Sequence, residues 1–171
     1  MLALLAAALV LCFPSLVLTA AVSDATSFTI PNWIPLALLA LFPVAGLAAG
    51  VPLATLGLHA ALAVGALVIG MGMFALRWMG GGDAKLVAAV VLWLGLSGLP
   101  GFLLGTALTG GGLAMALLTL RSTHFRAMVA LGPRWVHRLA DSKEGIPYGV
   151  AIAAGALGGF AASPFGPVLG L

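Results

Sequence analysis

The stretch RWMGGGDAKL, residues 77–86, places three consecutive glycines and an aspartate between two long apolar runs. Asp83 stands directly before the second run, where a short acidic side chain can cap the start of a helix. Glycines lack a Cβ, so they permit a sharp turn and the close approach of another chain. The stretch therefore predicts a turn between two apolar helices, with a carboxylate held at the point where the second helix begins.

The composition around this stretch excludes a soluble globular domain. Of the 171 residues, 63% are hydrophobic and 6% are charged, and the mean hydropathy is +1.23. Soluble domains carry roughly 25% charged residues, so this chain cannot cover a water-facing surface. A membrane span needs about 20 apolar residues. We therefore expect an all-α polytopic membrane protein, residues 1–171 forming a single domain in contact with membrane lipid and without a nucleic-acid partner.

Six spans are predicted between the breaks made by charged residues, proline and glycine. The first twenty residues lack the positive segment of a cleavable signal peptide, so the first run is predicted to be retained. The predicted spans are residues 2–22, 33–50, 52–76, 84–98, 102–120 and 147–168, with a polar loop over about 121–146.

The charges segregate to alternate connections of this six-span path. All seven basic residues lie within 77–85 or 121–143, whereas the turns near 50–52 and 97–101 carry no charge. Basic residues mark the cytoplasmic side of a membrane protein. We therefore expect both termini to face away from the cytoplasm. The four acidic residues follow the first, third and fifth predicted spans, and so lie on the cytoplasmic side: Asp24, Asp83, Asp141 and Glu144.

Asp24 and Asp83 are thus predicted on the same side, one after the first span and one before the fourth. Two carboxyl groups that lie close together do not both ionise readily, so one stays protonated and the other charged. Such a pair can activate water against an amide while protonating its oxygen. The alternative interpretation is structural, with Asp83 capping a helix after a glycine turn and Asp24 an ordinary loop residue.

Two further features have competing interpretations. His59 lies within the third predicted span, where a histidine either packs with a hydrogen bond or lines a polar pathway. Three Gly-x-x-x-Gly pairs favour close helix packing within the chain over a dimer interface, and nothing else indicates an oligomeric state. The pairs are Gly46/Gly50, Gly101/Gly105 and Gly155/Gly159.

The single cysteine, Cys12, lies in the first apolar run and is predicted to be a small core residue. The chain has no Cys-x-x-Cys pair for a metal. We expect neither a metal nor a cofactor.

Three motifs carry a resemblance to a known family. Asp24 is followed by Ile30-Pro31-Asn32, residues 80–85 form Gly-x-Gly-Asp-x-Lys, and residues 144–155 read EGIPYGVAIAAG. In this order and spacing the chain resembles the type IV prepilin peptidase family, polytopic membrane aspartyl proteases of the Gly-x-Gly-Asp class. The resemblance covers essentially the whole chain. Its short form, without the paired-cysteine region linked to N-methylation in larger members, is similar to the peptidases of tight-adherence (Flp) pili.

This resemblance implies a function and a site. The family cleaves the leader peptide of a prepilin at the cytoplasmic face of the bacterial inner membrane, so the implied partner is a prepilin peptide substrate. Asp24 and Asp83 are implied as the catalytic pair. The residues implied to shape the site or adjust its electrostatics are Pro31, Asn32, Gly80, Gly81, Gly82 and Lys85.

The polar loop has two interpretations, and two other functions compete with the peptidase. The segment 121–145 has apolar residues at roughly helical spacing among arginines, which indicates either an amphipathic segment on anionic lipid or a docking surface for an acidic group of the substrate. The first rival function is a small transporter or ion-conducting bundle that uses His59 and a carboxylate. The second is a non-catalytic subunit of pilus assembly. Charges confined to one face favour the peptidase over the transporter.

Overall fold

The computed structural model describes residues 1–122, His137 and residues 145–171. Most of the predicted polar loop, including Arg126, Arg134 and Arg138, lies outside these residues. Both interpretations of its amphipathic pattern therefore stay predictions. The described part is helical and contains no strand. Its helices are α1 (Leu2–Ser27), α2 (Trp33–Ala48), α3 (Leu53–Ala75), α4 (Gly81–Leu120), α5 (Tyr148–Phe160) and a short 3₁₀ helix (Gly166–Leu169).

The described helices have the character of a membrane protein. By length and apolar composition, α1, α3 and α4 could each cross a membrane, while α2 and α5 are shorter apolar helices. Their outward side chains are apolar, as shown by Leu4, Leu36 and Val68, which are 77%, 61% and 66% exposed. An apolar surface of this extent matches hydrocarbon rather than water. The predicted all-helical membrane class therefore holds for the described residues.

Helix α4 consists of two helical segments joined at Gly95, whose φ is 60° and ψ is −164°. Glycine adopts this conformation readily, and a Cβ here would overlap the ring of His59. The His59 ring donates from Nδ1 to the carbonyl oxygen of Leu92, 2.8 Å away. Carbonyl groups at the end of a helical segment lack partners within it. His59 is thus a packing residue that satisfies the backbone at the break.

The two segments of α4 run in opposite directions. Along the second segment, Gly98, Gly105 and Gly110 contact Gly159, Gly155 and Ala151 in that order, so this segment is antiparallel to α5. At the end of the first segment, Leu94 also contacts Gly159. The chain therefore reverses at Gly95. Residues 97–101, which the sequence predicts to form this turn, are helical instead.

Glycines bring α4 and α5 into backbone contact. A Cβ on Gly105 would lie 2.9 Å from the Cα of Gly155, and one on Gly101 would lie 3.0 Å from the Cα of Gly159. The Gly101/Gly105 and Gly155/Gly159 pairs thus pack within the chain, as predicted. Gly50 differs, because it lies after α2 with a φ of 72°.

An aromatic core fills the end of the bundle near Gly95. Trp93 is fully buried and donates from Nε1 to the carbonyl oxygen of Leu38 at 2.9 Å. Its ring lies 5.2 Å from that of Phe13 and 5.0 Å from that of Phe165. Aromatic contacts at these centroid distances stabilise a core beyond their buried area. Phe13 also stacks on Phe160 of α5, with the ring centroids 5.0 Å apart. This packing holds α1, α4 and α5 together, and the opposite ends of α1 and α4 carry the predicted aspartates.

Candidate active site

Asp24 lies in the last turn of α1 rather than in a loop. The helix continues to Ser27, past the predicted end of the first span at residue 22. The hydroxyls of Thr26 and Ser27 donate to carbonyl oxygens four residues earlier, at 2.7 and 2.6 Å. Phe28 ends the helix with a φ of 55°, and its N–H donates to the Asp24 carbonyl oxygen. Asp24 is consequently held on a helix, and it is only 6% exposed.

The Asp24 carboxylate contacts the start of α5. The backbone N–H of Gly149 donates to Asp24 Oδ2 at 2.7 Å. Gly149 is the second residue of α5, and the first N–H groups of a helix have no partner within it. Sequence reasoning assigned no role to Gly149, although it belongs to the Ile-Pro-Tyr-Gly motif on which the family resemblance partly rests. That motif was the signal that could have identified it.

Asp83 is the third residue of α4, and the residue at the N-cap is Gly80. The Gly80 N–H donates to the Asp83 carboxylate, as in the acidic half of a capping box. A Cβ on Gly80 would lie 2.8 Å from Asp83 Oδ2. The structural interpretation of Asp83 is therefore correct in part, since its side chain does stabilise the start of a helix.

The structure brings the two predicted aspartates together. Asp83 is half-buried, and the carboxylates are close enough for the charge of Asp24 to act on Asp83. Each carboxylate accepts an N–H from the start of a helix, Asp24 from α5 and Asp83 from α4. One end of the bundle thus holds two interacting, largely dehydrated carboxyl groups. Such a pair can share one proton and divide the roles of acid and base.

The connection after α1 packs on the start of α4. A Cβ on Gly82 would lie 3.2 Å from the Cβ of Ile30, so this glycine makes room for the connection. Lys85 Nζ donates to Asn32 Oδ1 at 2.9 Å. In the described part of the chain, Lys85 forms no ion pair with either aspartate. Lys85 and Asn32 therefore join α4 to the start of α2 beside the carboxylates.

The other predicted site-shaping residues contact different parts of the bundle. Gly81 faces α3, since a Cβ there would lie 3.3 Å from the ring of Phe74. Pro31 is half-buried, and its carbonyl oxygen accepts the N–H of Ile34 in the first turn of α2. Of the three consecutive glycines, Gly80 contacts an aspartate directly.

An apolar groove of about 800 Å³ begins at the hydrogen bond between Asn32 and Lys85. Its walls come from α2 and α3, and its floor comes from the first segment of α4. The other lining residues are Pro35, Leu36, Leu39, Ala60, Ala63, Val64, Leu67, Met71, Ala88, Ala89 and Leu92. The described residues contain no cluster of three His, Cys, Asp or Glu side chains that could hold a metal ion.

The comparison with family models identifies the family of the chain. The type IV leader peptidase family matches residues 11–115, which include Asp24, Asp83 and the three glycines. No curated protein matches the chain, and no solved structure matches it. Because the matched residues make up more than half of the sequence, the match shows the family. The chain belongs to the type IV leader peptidase family.

Proposed function

We propose that the protein is an aspartic endopeptidase that removes the leader peptide from type IV or Flp prepilins. Membership of the family makes it a leader peptidase-like protease. The observation that supports the aspartic mechanism is that Asp24 is buried, Asp83 is half-buried, and the charge of Asp24 acts on Asp83. Their carboxylates come from the end of α1 and the start of α4, so the pair depends on the fold and not on one local turn.

The proposed reaction is hydrolysis of an amide by activated water. The charged carboxyl group takes a proton from water as the oxygen adds to the scissile carbonyl, and the protonated group donates its proton to the carbonyl oxygen. The tetrahedral intermediate then collapses, and the leaving nitrogen receives a proton. The products are a free carboxylic acid and a free amine. This route needs neither an acyl-enzyme nor a metal.

The proposed topology has six spans with the site facing the cytoplasm. The described residues contain six apolar helical segments, counting the two segments of α4. Arg77 follows α3 and Arg121 follows α4, both at the end of the bundle that holds the aspartates. This supports a cytoplasmic orientation of that end in a bacterial inner membrane. Both termini would then face away from the cytoplasm.

The apolar groove beside the site supports a membrane-embedded substrate. It starts at Asn32 and at Lys85, which is two residues after Asp83 in the sequence, and continues between apolar side chains of α2 and α3. A prepilin leader is cut next to a hydrophobic helix, and an apolar groove that begins at Lys85 is compatible with such a substrate.

The test is co-expression with a prepilin encoded in the same genome. Wild type is compared with Asp24→Ala and Asp83→Ala, and the intact mass of the pilin reports leader removal. We expect processing by wild type and by neither variant. Processing that persists in both variants would disprove the aspartic mechanism. It would leave Asp83 with its role at the start of α4 alone.

A further inference from the structure

We infer that Gly149 is a positioning residue for Asp24, which makes the start of α5 part of the active site. The inference rests on the proposed function, because it concerns how one of the two proposed catalytic carboxylates is held. It is independent of the match to the family model, which ends at residue 115. Two separate properties of Gly149 carry it, the absence of a side chain and the direction of its N–H.

The absence of a side chain lets α5 begin against the carboxylate. A Cβ on Gly149 would lie 2.8 Å from the Cβ of Asp24 and 2.9 Å from Oδ2. Real Cβ atoms do not approach this closely, so any other residue would displace Asp24. The glycines further along α5 differ, since Gly155 and Gly159 contact the backbone of α4. They hold two helices together, whereas Gly149 contacts a proposed catalytic group.

The N–H of Gly149 selects which oxygen of Asp24 can exchange a proton. It donates to Oδ2 at 2.7 Å, and a backbone N–H can only donate. A proton on Oδ2 would oppose this hydrogen bond, so proton transfer falls to Oδ1. The positive end of the α5 helix dipole acts in the same direction and favours the charged carboxylate. Gly149 therefore both orients Asp24 and stabilises its working charge.

The charged neighbours of Asp24 are few in the described part of the chain. Asp83 of α4 is the titratable group that interacts with it. Lys85 of α4 is hydrogen-bonded to Asn32, and Tyr148 of α5 is 44% exposed. A change in the pH dependence of cleavage on altering residue 149 would thus report on the Asp24 and Asp83 pair.

The first test compares Gly149→Ala with Gly158→Ala in the purified full-length enzyme. Both changes add one methyl group to α5, but a Cβ on Gly158 would meet only the carbonyl oxygen of Gly101 at 3.7 Å, an ordinary contact. We expect Gly149→Ala to lower kcat for a prepilin substrate about 10²-fold, because small displacements of catalytic groups cost this much. KM should be unchanged. Gly158→Ala should match wild type in both constants.

The second test removes the hydrogen bond without adding a side chain. Glycolic acid incorporated at position 149 by cell-free translation replaces the N–H with an ester oxygen. The acidic limb of the kcat/KM profile should move to higher pH by about one unit, since the lost donor favoured charged Asp24. If Gly149→Ala does not fold, this variant still tests whether the Gly149 N–H positions Asp24.

The outcomes separate the inference from the function on which it rests. A folded ester variant with the wild-type kcat and pH profile would overturn the inference, as would a lower kcat with an unshifted profile. Wild-type and Asp24→Asn enzymes are measured in the same assay. If wild type does not cleave, or if Asp24→Asn cleaves normally, the proposed function fails and the inference fails with it.

Discussion

Both ends of the first segment of α4 pair a glycine with a polar side chain, but the two polar side chains have different roles. At one end, Gly80 lies against the carboxylate of Asp83. At the other end, Gly95 lies against the ring of His59. Each pairs a glycine that admits no side chain with a polar group that hydrogen-bonds to the backbone. The difference lies in whether the polar group keeps atoms that are free to exchange protons.

His59 is fully incorporated into the packing. It is 3% exposed, bonds to the Leu92 carbonyl oxygen and stacks on Phe42, with the ring centroids 5.9 Å apart. Asp24 and Asp83 each accept a backbone N–H, and they retain further oxygen atoms that can exchange protons. The comparison indicates that the bundle holds His59 for stability, whereas the aspartates keep the oxygen atoms that the proposed reaction needs. A transporter built on His59 lacks support from this geometry.

The largest effect on folding is expected from Gly95→Ala. The new residue would have to adopt a φ of 60°, and its Cβ would overlap His59. Backbone strain of about 1–3 kcal/mol and overpacking of similar size should together reduce the free energy of unfolding by about 2–6 kcal/mol. Thermal unfolding in detergent measures this loss. Gly57→Ala is the matched control, because no atom lies within 4 Å of a Cβ there.

The same change at the other end should damage activity and spare the fold. Gly80 has a φ of −69°, which alanine adopts without strain, but its Cβ would lie 2.8 Å from Asp83 Oδ2. We expect kcat to fall about 10²-fold through displacement of the carboxylate, with a much smaller fall in melting temperature than in Gly95→Ala, because only the capping contact of Asp83 is disturbed. Gly72→Ala in α3 has open space and serves as the control. Wild-type kcat in Gly80→Ala would contradict the comparison.

The sequence predicts the aspartate end of the first segment of α4 better than the end at Gly95. The motif around residues 77–86 predicts both a turn and a carboxylate at a helix start, and the charges predict one shared side for Asp24 and Asp83. The cluster of Ser, Gly and Pro at 97–101 predicts a turn there, but the break in α4 lies at Gly95. Gly98 and Gly101 are instead occupied in packing against α5. Which glycine takes a positive φ depends on such tertiary contacts.

The end of α1 shows a second limit of the sequence. Polar residues after position 22 predict a loop, yet Ser and Thr hydroxyls can bond to the preceding turn and remain helical. Thr26 and Ser27 do so, and this puts Asp24 on the helix. Its contact with Gly149 joins residues 125 positions apart. The Ile-Pro-Tyr-Gly motif draws attention to Gly149, but no local pattern predicts that it contacts Asp24.

His59→Leu should lower stability and leave catalysis unchanged. Leucine cannot donate to the Leu92 carbonyl oxygen, and an unpaired buried acceptor costs about 1–3 kcal/mol. We expect a lower melting temperature, with an unaltered kcat for the folded enzyme. A loss of kcat at unchanged stability would instead give His59 a part in function and weaken the contrast between the two ends.

The smallest effect is expected at Lys85. Its hydrogen bond to Asn32 is exposed, and such bonds contribute about 0.5–1.5 kcal/mol. Lys85→Met should therefore raise KM only a few-fold, while Lys85→Gln, which keeps a donor, should stay closer to wild type. Steady-state cleavage assays measure both. An equal and large loss of kcat in both variants would show that the charge of Lys85 acts on the carboxylates directly.

The most direct test of the account is single-turnover cleavage of a purified prepilin by the enzyme in lipid nanodiscs. Wild type is compared with Asp24→Asn and Asp83→Asn, which keep an acceptor oxygen for Gly149 and Gly80 and should therefore remain folded. We predict cleavage by wild type and a loss of about 10²–10⁴-fold in each variant, the contribution expected of a positioned acid or base. Cleavage at the wild-type rate by either folded variant would contradict the claim that the two aspartates act as a catalytic pair.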